Sequence, residues 1–128
     1  MNKLIPELIV ESVDESVNFY QKYLNFEVIK SVNEGKCLTW AWMRKDNVEL
    51  MFYSRKNGEN EVAGFRDKKI GATIILVIRT KEIEEIFAKV KNGVKMESEL
   101  QKTDYGTKEF KMFDNSGYLI QFLEDIES

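Results

Sequence analysis

A chain of 128 residues, 43% of them hydrophobic, can build the core of one domain but not of several. Nineteen basic against 22 acidic residues leave a net charge of −3, and no basic tract is interleaved with aromatics, so nucleic acid is not an expected partner. Cys37 is the single cysteine and histidine is absent, which excludes an intrachain disulfide, a thiolate metal cluster and any site built on imidazole.

The first apolar stretch, LIPELIVE over residues 4–11, reads as a strand. Pro6 and Glu7 break it, so it makes no secretory leader, and nothing in the chain approaches the ~20 apolar residues of a membrane span. A reducing, cytoplasmic setting without membrane contact is the expectation. Ser12 and Glu15 form an S-x-x-E capping box that opens a helix. Val13, Val17, Tyr20 and Leu24 then recur on one face, and Asn25 suits the left-handed stop. Strands follow at FEVIKSV, CLTWAWM and VELMFYS, separated by the turn signals Glu34-Gly35 and Asp46-Asn47.

Residues 57–70 are polar and charged and read as a linker, with Val62 and Phe65 placed to anchor it. After it the order repeats. ATIILVI is a strand, and a helix starts near Thr80 with Glu82, Glu84 and Glu85 at its positive end. Its apolar face is Ile83, Ile86, Phe87 and Val90, and Asn92-Gly93 stops it. VKMESEL, TKEFKMF and YLIQFLE complete three strands, the last two joined by the turn Asp114-Asn115-Ser116-Gly117. Strand–helix–three strands is thus written twice, in modules of approximately residues 1–56 and 71–128.

Several side chains on these strands could carry function. Trp40 and Trp42 share one strand face, either as core between sheet and helix or as walls for an aromatic ligand. Glu49, Met51 and Tyr53 oppose Val48, Leu50 and Phe52, and they line a groove or form a solvated outer face. Gln121 sits between Leu119 and Leu123, where an amide needs partners. Glu109 and Lys111 alternate with Phe110 and Met112 as on a half-exposed strand, and no function is assigned to them. No Ser-His-Asp or Cys-His pair is possible, Cys37 lacks an activating base, and no glycine loop for phosphate occurs.

Three segments, VESVDESVNFYQKYLNFEV, WAWMRKDNVELMF and YGTKEFKMFDNSGYLIQFLE, resemble the vicinal-oxygen-chelate superfamily of glyoxalases, ring-cleaving dioxygenases and bleomycin-resistance proteins. The resemblance implies an α+β fold of two tandem βαβββ modules forming an open, half-barrel mixed sheet with a groove. It also implies a homodimer. Metal-using relatives draw four ligands from the groove, and those positions fall here on Ile5, on Glu49, among Ala72, Thr73 and Ile75, and on Gln121. An all-oxygen set of Glu7, Glu49 and Gln121 would be a poor cage for Mg²⁺ or Mn²⁺. The expectation is therefore a protein without metal or cofactor, like the bleomycin-resistance branch, which the stretch LTWAWMRKDNVELMFYSR resembles. Such a protein would bind a small molecule and sequester an aromatic or cationic antibiotic, with Tyr105 at a position where that branch carries an aromatic. Glu7, Trp40, Trp42, Glu49, Met51, Tyr53, Tyr105 and Gln121 are the expected groove residues. The rival expectation is a lyase or isomerase using Glu49 as a base, its pKa raised by an apolar groove.

Overall fold

The computed structural model describes residues 1–126. The chain divides into two compact units, Met1–Ile70 and Gly71 onward, and both are α+β.

In the first unit β1 (Glu7–Val10), α1 (Val13–Leu24), β2 (Glu27–Glu34), β3 (Cys37–Lys45) and β4 (Val48–Ser54) follow in chain order. The sheet is ordered β1-β4-β3-β2, with β1 parallel to β4 and the other pairs antiparallel. Helix α1 begins where the capping box predicts, the Ser12 hydroxyl accepting the Glu15 N–H at 3.1 Å. It ends at Asn25 with φ 57°, a conformation asparagine tolerates better than most residues. Its face of Val13, Val17, Tyr20 and Leu24 is buried on the sheet, each such side chain contributing about 1.5–3 kcal/mol. Tyr20 is the centre of this core, its ring 5.0 Å from Phe52 and 5.4 Å from Phe26.

The segment read as a linker is ordered into structure at its start. Helix α2 (Arg55–Glu61) is capped by Ser54, whose hydroxyl accepts the Asn57 N–H at 3.3 Å, and a 3-10 turn follows at Ala63–Phe65. Gly58 makes the close approach: a Cβ there would sit 2.8 Å from Ile9 Cδ1. Val62 and Phe65, expected as anchors, remain exposed.

The second unit repeats the plan with β5 (Ile75–Arg79), α3 (Ile83–Val90), β6 (Met96–Lys102), β7 (Thr107–Phe113) and β8 (Leu119–Asp125). Its order β5-β8-β7-β6 and its parallel β5–β8 pair reproduce the first sheet, and neither sheet closes on itself. Phe110 stacks on Phe122 at 5.1 Å and meets the edge of Phe87 at 5.1 Å. Helix α3 starts three residues beyond Thr80, because its first turn is capped from outside: the Ile83 N–H donates to Glu124 Oε1 of β8 at 2.9 Å. The turn into β8 forms as read, with Asp114 Oδ1 accepting the N–H groups of Ser116 and Tyr118, each at 2.9 Å.

Candidate functional site

Helix α1 covers one face of the first sheet, so strand alternation decides what the other face carries. Leu8, Val10, Thr39, Ala41, Met43, Leu50 and Phe52 are buried. Their alternates Glu7, Trp40, Trp42, Glu49, Met51 and Tyr53 therefore line the face turned away from the helix, in the register Trp40↔Tyr53, Trp42↔Met51 and Glu7↔Met51. The reading of Trp40 and Trp42 as core between sheet and helix is set aside, since both are half-exposed on the opposite side.

Each indole is oriented by a carboxylate. Trp40 Nε1 donates to Glu7 Oε2 at 2.9 Å, and Trp42 Nε1 donates to Glu49 Oε1 at 2.8 Å. The second oxygen of Glu49 accepts from Lys3, and the Glu49 side chain is only 9% exposed. That ammonium holds the Glu49 carboxyl below its ordinary value; burial pulls it upward, and the Trp42 N–H adds to the lowering. The expectation of a raised pKa at Glu49 is thus corrected: a carboxylate already bonded to a cation and an indole is a weak base.

Helix α2 lies along the same face as a side wall. The Tyr53 phenol donates to Glu61 Oε2 at 2.8 Å, which pushes its pKa up, and Asn57 Nδ2 donates to Glu34 Oε1 of β2 at 3.2 Å. Beside Glu49 an open depression of about 380 Å³ is lined by Lys3, Leu4, Arg44, Asp46, Asn47 and Glu49. With the indole N–H groups already engaged, the face offers π-surfaces, a thioether and carboxylate charge.

In the second unit Ile120 and Phe122 are buried beneath α3, leaving Leu119, Gln121 and Leu123 on the open face. Gln121 Nε2 donates to Glu109 Oε1 at 2.9 Å. Glu109, expected on a half-exposed face, is in fact buried at 6% exposure. Its Oε2 accepts from the Tyr105 phenol and the Thr107 hydroxyl, each at 2.9 Å, and the carboxylate pushes the Tyr105 pKa up. The tight turn from β6 to β7 aims these donors: Thr107 N–H donates to Thr103 Oγ1 at 3.1 Å and the two hydroxyls are 2.7 Å apart. Six of the eight expected groove residues therefore share the first sheet's face, while Tyr105 and Gln121 converge on Glu109. Sequence reasoning missed Lys3, Glu61 and Glu109. For Glu109 a signal existed: Tyr105, Thr107 and Glu109 recur at spacing two, the period that stacks donors and acceptor on one strand face.

Residues 5–122 match the Glyoxalase/Bleomycin resistance protein/Dioxygenase superfamily. The chain belongs to it. Solved structures share its fold at low identity. TioX from Micromonospora sp. ML1 superposes with a TM-score of 0.77 at 15% identity, covering 98% of this chain and 99% of that one. A glyoxalase/bleomycin resistance protein/dioxygenase from Nocardioides gives 0.75 at 14%, covering 100% and 87%. A glyoxalase-related enzyme from Fulvimarina pelagi gives 0.78 at 12%, covering 98% and 89%. No curated protein matches the chain. Among the described residues no helix is long and apolar enough to cross a membrane.

The metal positions implied by the superfamily do not suit a metal here. Ile5 has no donor atom, Glu49 is committed to Lys3 and Trp42, and the Gln121 amide is committed to Glu109. Among the described residues no three His, Cys, Asp or Glu side chains cluster as ligands.

Proposed function

We propose that this superfamily member binds, without a metal, a small flat aromatic cation on the face of its first sheet, and that its role is sequestration of such a molecule, an antibiotic among them. One observation carries the reading: Trp40 and Trp42 lie on an open sheet face, each indole held by a carboxylate, Glu7 or Glu49. Orienting carboxylates bring negative charge to the rims of two π-surfaces, which favours a ligand that is both flat and positive. A desolvated cation over an indole is worth about 2 kcal/mol, and a stacked ring pair about 0.5–1.5 kcal/mol. The depressed pKa of Glu49 gives no support to catalysis by that residue.

Titration of tryptophan fluorescence with N-methylquinolinium, against the isosteric neutral 1-methylnaphthalene, tests this. Saturable quenching by the cation that is weakened about tenfold by Trp40→Leu is expected. Equal response to both compounds would remove the charge argument, and no response to either would remove the site. The same reading includes a homodimer, supported by the exposed Ile75 and Val77 of β5 and Ile74 just before it, and checked by sedimentation. It also includes a cytoplasmic location, supported by the exposed, unpaired Cys37 and checked by cell fractionation.

A further inference from the structure

Asparagine followed by glycine occurs twice, at Asn57-Gly58 and at Asn92-Gly93. Glycine has no Cβ to crowd its own amide nitrogen, so in this pair the nitrogen can reach the preceding side-chain carbonyl. The fold treats the two pairs differently. Asn57 lies in the first turn of α2, where its N–H donates to Ser54 Oγ at 3.3 Å and its Nδ2 to Glu34 Oε1 at 3.2 Å. Gly58 is buried against Ile9, and its carbonyl accepts the Val62 N–H at 2.8 Å. Bringing the Gly58 nitrogen onto the Asn57 side chain would unwind that turn and break these contacts. Asn92 and Gly93 instead follow the last residue of α3 and its cap Lys91, and both are exposed. The Gly93 N–H donates to the Val90 carbonyl at 3.1 Å, but the same carbonyl accepts the Val94 N–H at 3.0 Å. Releasing the Gly93 N–H therefore orphans no acceptor, and the group turns to water at little cost.

We propose that Asn92 is a site of spontaneous deamidation and that the fold protects Asn57 from the same reaction. The Gly93 nitrogen gives up its proton and attacks Cγ of Asn92. The new C–N bond closes a five-membered succinimide as the Cγ–Nδ2 bond breaks, and ammonia leaves with the proton. Water then opens the ring. Opening at Cγ restores the normal chain with an aspartyl side chain. Opening at the main-chain carbonyl gives an isoaspartyl link, in which the chain runs through Cβ and Cγ. Amide and water are consumed, carboxylate and ammonium are produced, and no oxidant or reductant takes part. Both products place a carboxylate just beyond the negative end of α3, among Lys89, Lys91 and Lys95 in the sequence. The isoaspartyl link also inserts a methylene between Val90 and Val94, both buried, and so lengthens the turn that joins α3 to β6. This site rests on α3 and its turn alone and is independent of the tryptophan face.

The test is peptide mapping by mass spectrometry of the full chain, incubated in mildly alkaline buffer at body temperature, once folded and once unfolded in urea. Electron-transfer fragmentation separates aspartyl from isoaspartyl products at each position. In the folded chain Asn92 is expected to convert about tenfold or more faster than Asn57, and in urea the two rates should converge. Gly93→Ala, which adds the crowding Cβ, should slow conversion at Asn92 about tenfold. No conversion at Asn92, equal rates at both positions in the folded chain, or a difference that persists in urea would each overturn the proposal. So would an unchanged rate in folded Gly93→Ala, since direct hydrolysis of the amide would then be the route. Should Gly93→Ala fail to fold, the comparison of folded and unfolded wild-type chain decides on its own.

Discussion

Replacing Glu109 by alanine and by glutamine separates the carboxylate's charge from its shape. Alanine deletes the acceptor for three donors, but the three losses are unequal. Tyr105 is exposed and turns to water, so its bond contributes little. Thr107 is buried, yet its hydroxyl keeps Thr103 Oγ1 at 2.7 Å. The Gln121 amide is half-buried and loses Glu109 as its acceptor outright. With bonds to a charged group worth about 1.5–3 kcal/mol when fully felt, the sum is about 2–4 kcal/mol. For a chain of this length that is a fall in melting temperature of ~10 °C. Glutamine keeps an oxygen toward Gln121 and turns its own amide toward two hydroxyls that reverse to accept, so about 1 kcal/mol is lost. Thermal unfolding followed by circular dichroism on both variants reads the difference. Alanine falling within the ±0.5 kcal/mol of an ordinary surface change, or glutamine costing as much as alanine, would refute the account of Glu109 as a buried, donor-held carboxylate.

Glu49 gives a pH dependence. Its folded pKa lies below the ordinary value of 4.5, so its contribution is complete above that value and is lost as pH falls through the folded pKa; Lys3→Met should flatten this acid limb of melting temperature, and parallel curves would exclude the Lys3 contact as its cause. At Gly58, alanine gains about 1 kcal/mol of helix propensity while Ile9 Cδ1 rotates aside, whereas valine overpacks the α2–β1 contact and costs about 1–3 kcal/mol. Equal melting temperatures for the alanine and valine variants would contradict that contact. Asp114→Ala should cost about 1–2 kcal/mol by orphaning the Ser116 and Tyr118 N–H groups, while Asp114→Asn, which keeps the accepting oxygen, should remain near wild type in urea denaturation.

What was legible in the sequence was what local rules decide. The capping box at Ser12, the left-handed Asn25 and the Asp114 turn each involve atoms within a few residues, and all three form as read. The apolar periodicity of α1 likewise named its buried face correctly, because a 3.6-residue period leaves one side to pack. The failures share a cause. The start of α3 is decided by Glu124, 41 positions away, and the burial of Glu109 by Gln121, 12 positions away. The fate of Trp40 and Trp42 depended on which strand face α1 covers, and alternation alone does not distinguish two faces that both carry bulky side chains. Residues 57–70 looked like free connection because α2 has only polar and charged side chains around Gly58; what seats it is Gly58, whose missing side chain lets it approach Ile9.

The duplication explains why the helix-side faces agree and the open faces do not. Under each helix the constraint is packing, and both units answer it with phenylalanines and aliphatics, Phe52 and Leu50 in one, Phe110, Phe122 and Ile120 in the other. Nothing in the packing of that side dictates the alternating positions, so they are free to diverge at little cost in stability. The first unit used this freedom for two indoles held by Glu7 and Glu49, and the second for a carboxylate held by Tyr105, Thr107 and Gln121. Both solutions keep a carboxylate on a sheet face among apolar side chains, where desolvation makes an unpaired anion costly. Glu49 has the Lys3 ammonium to offset that cost. Among the described residues Glu109 is in no ion pair, and the donors of Tyr105, Thr107 and Gln121 offset the cost in its place.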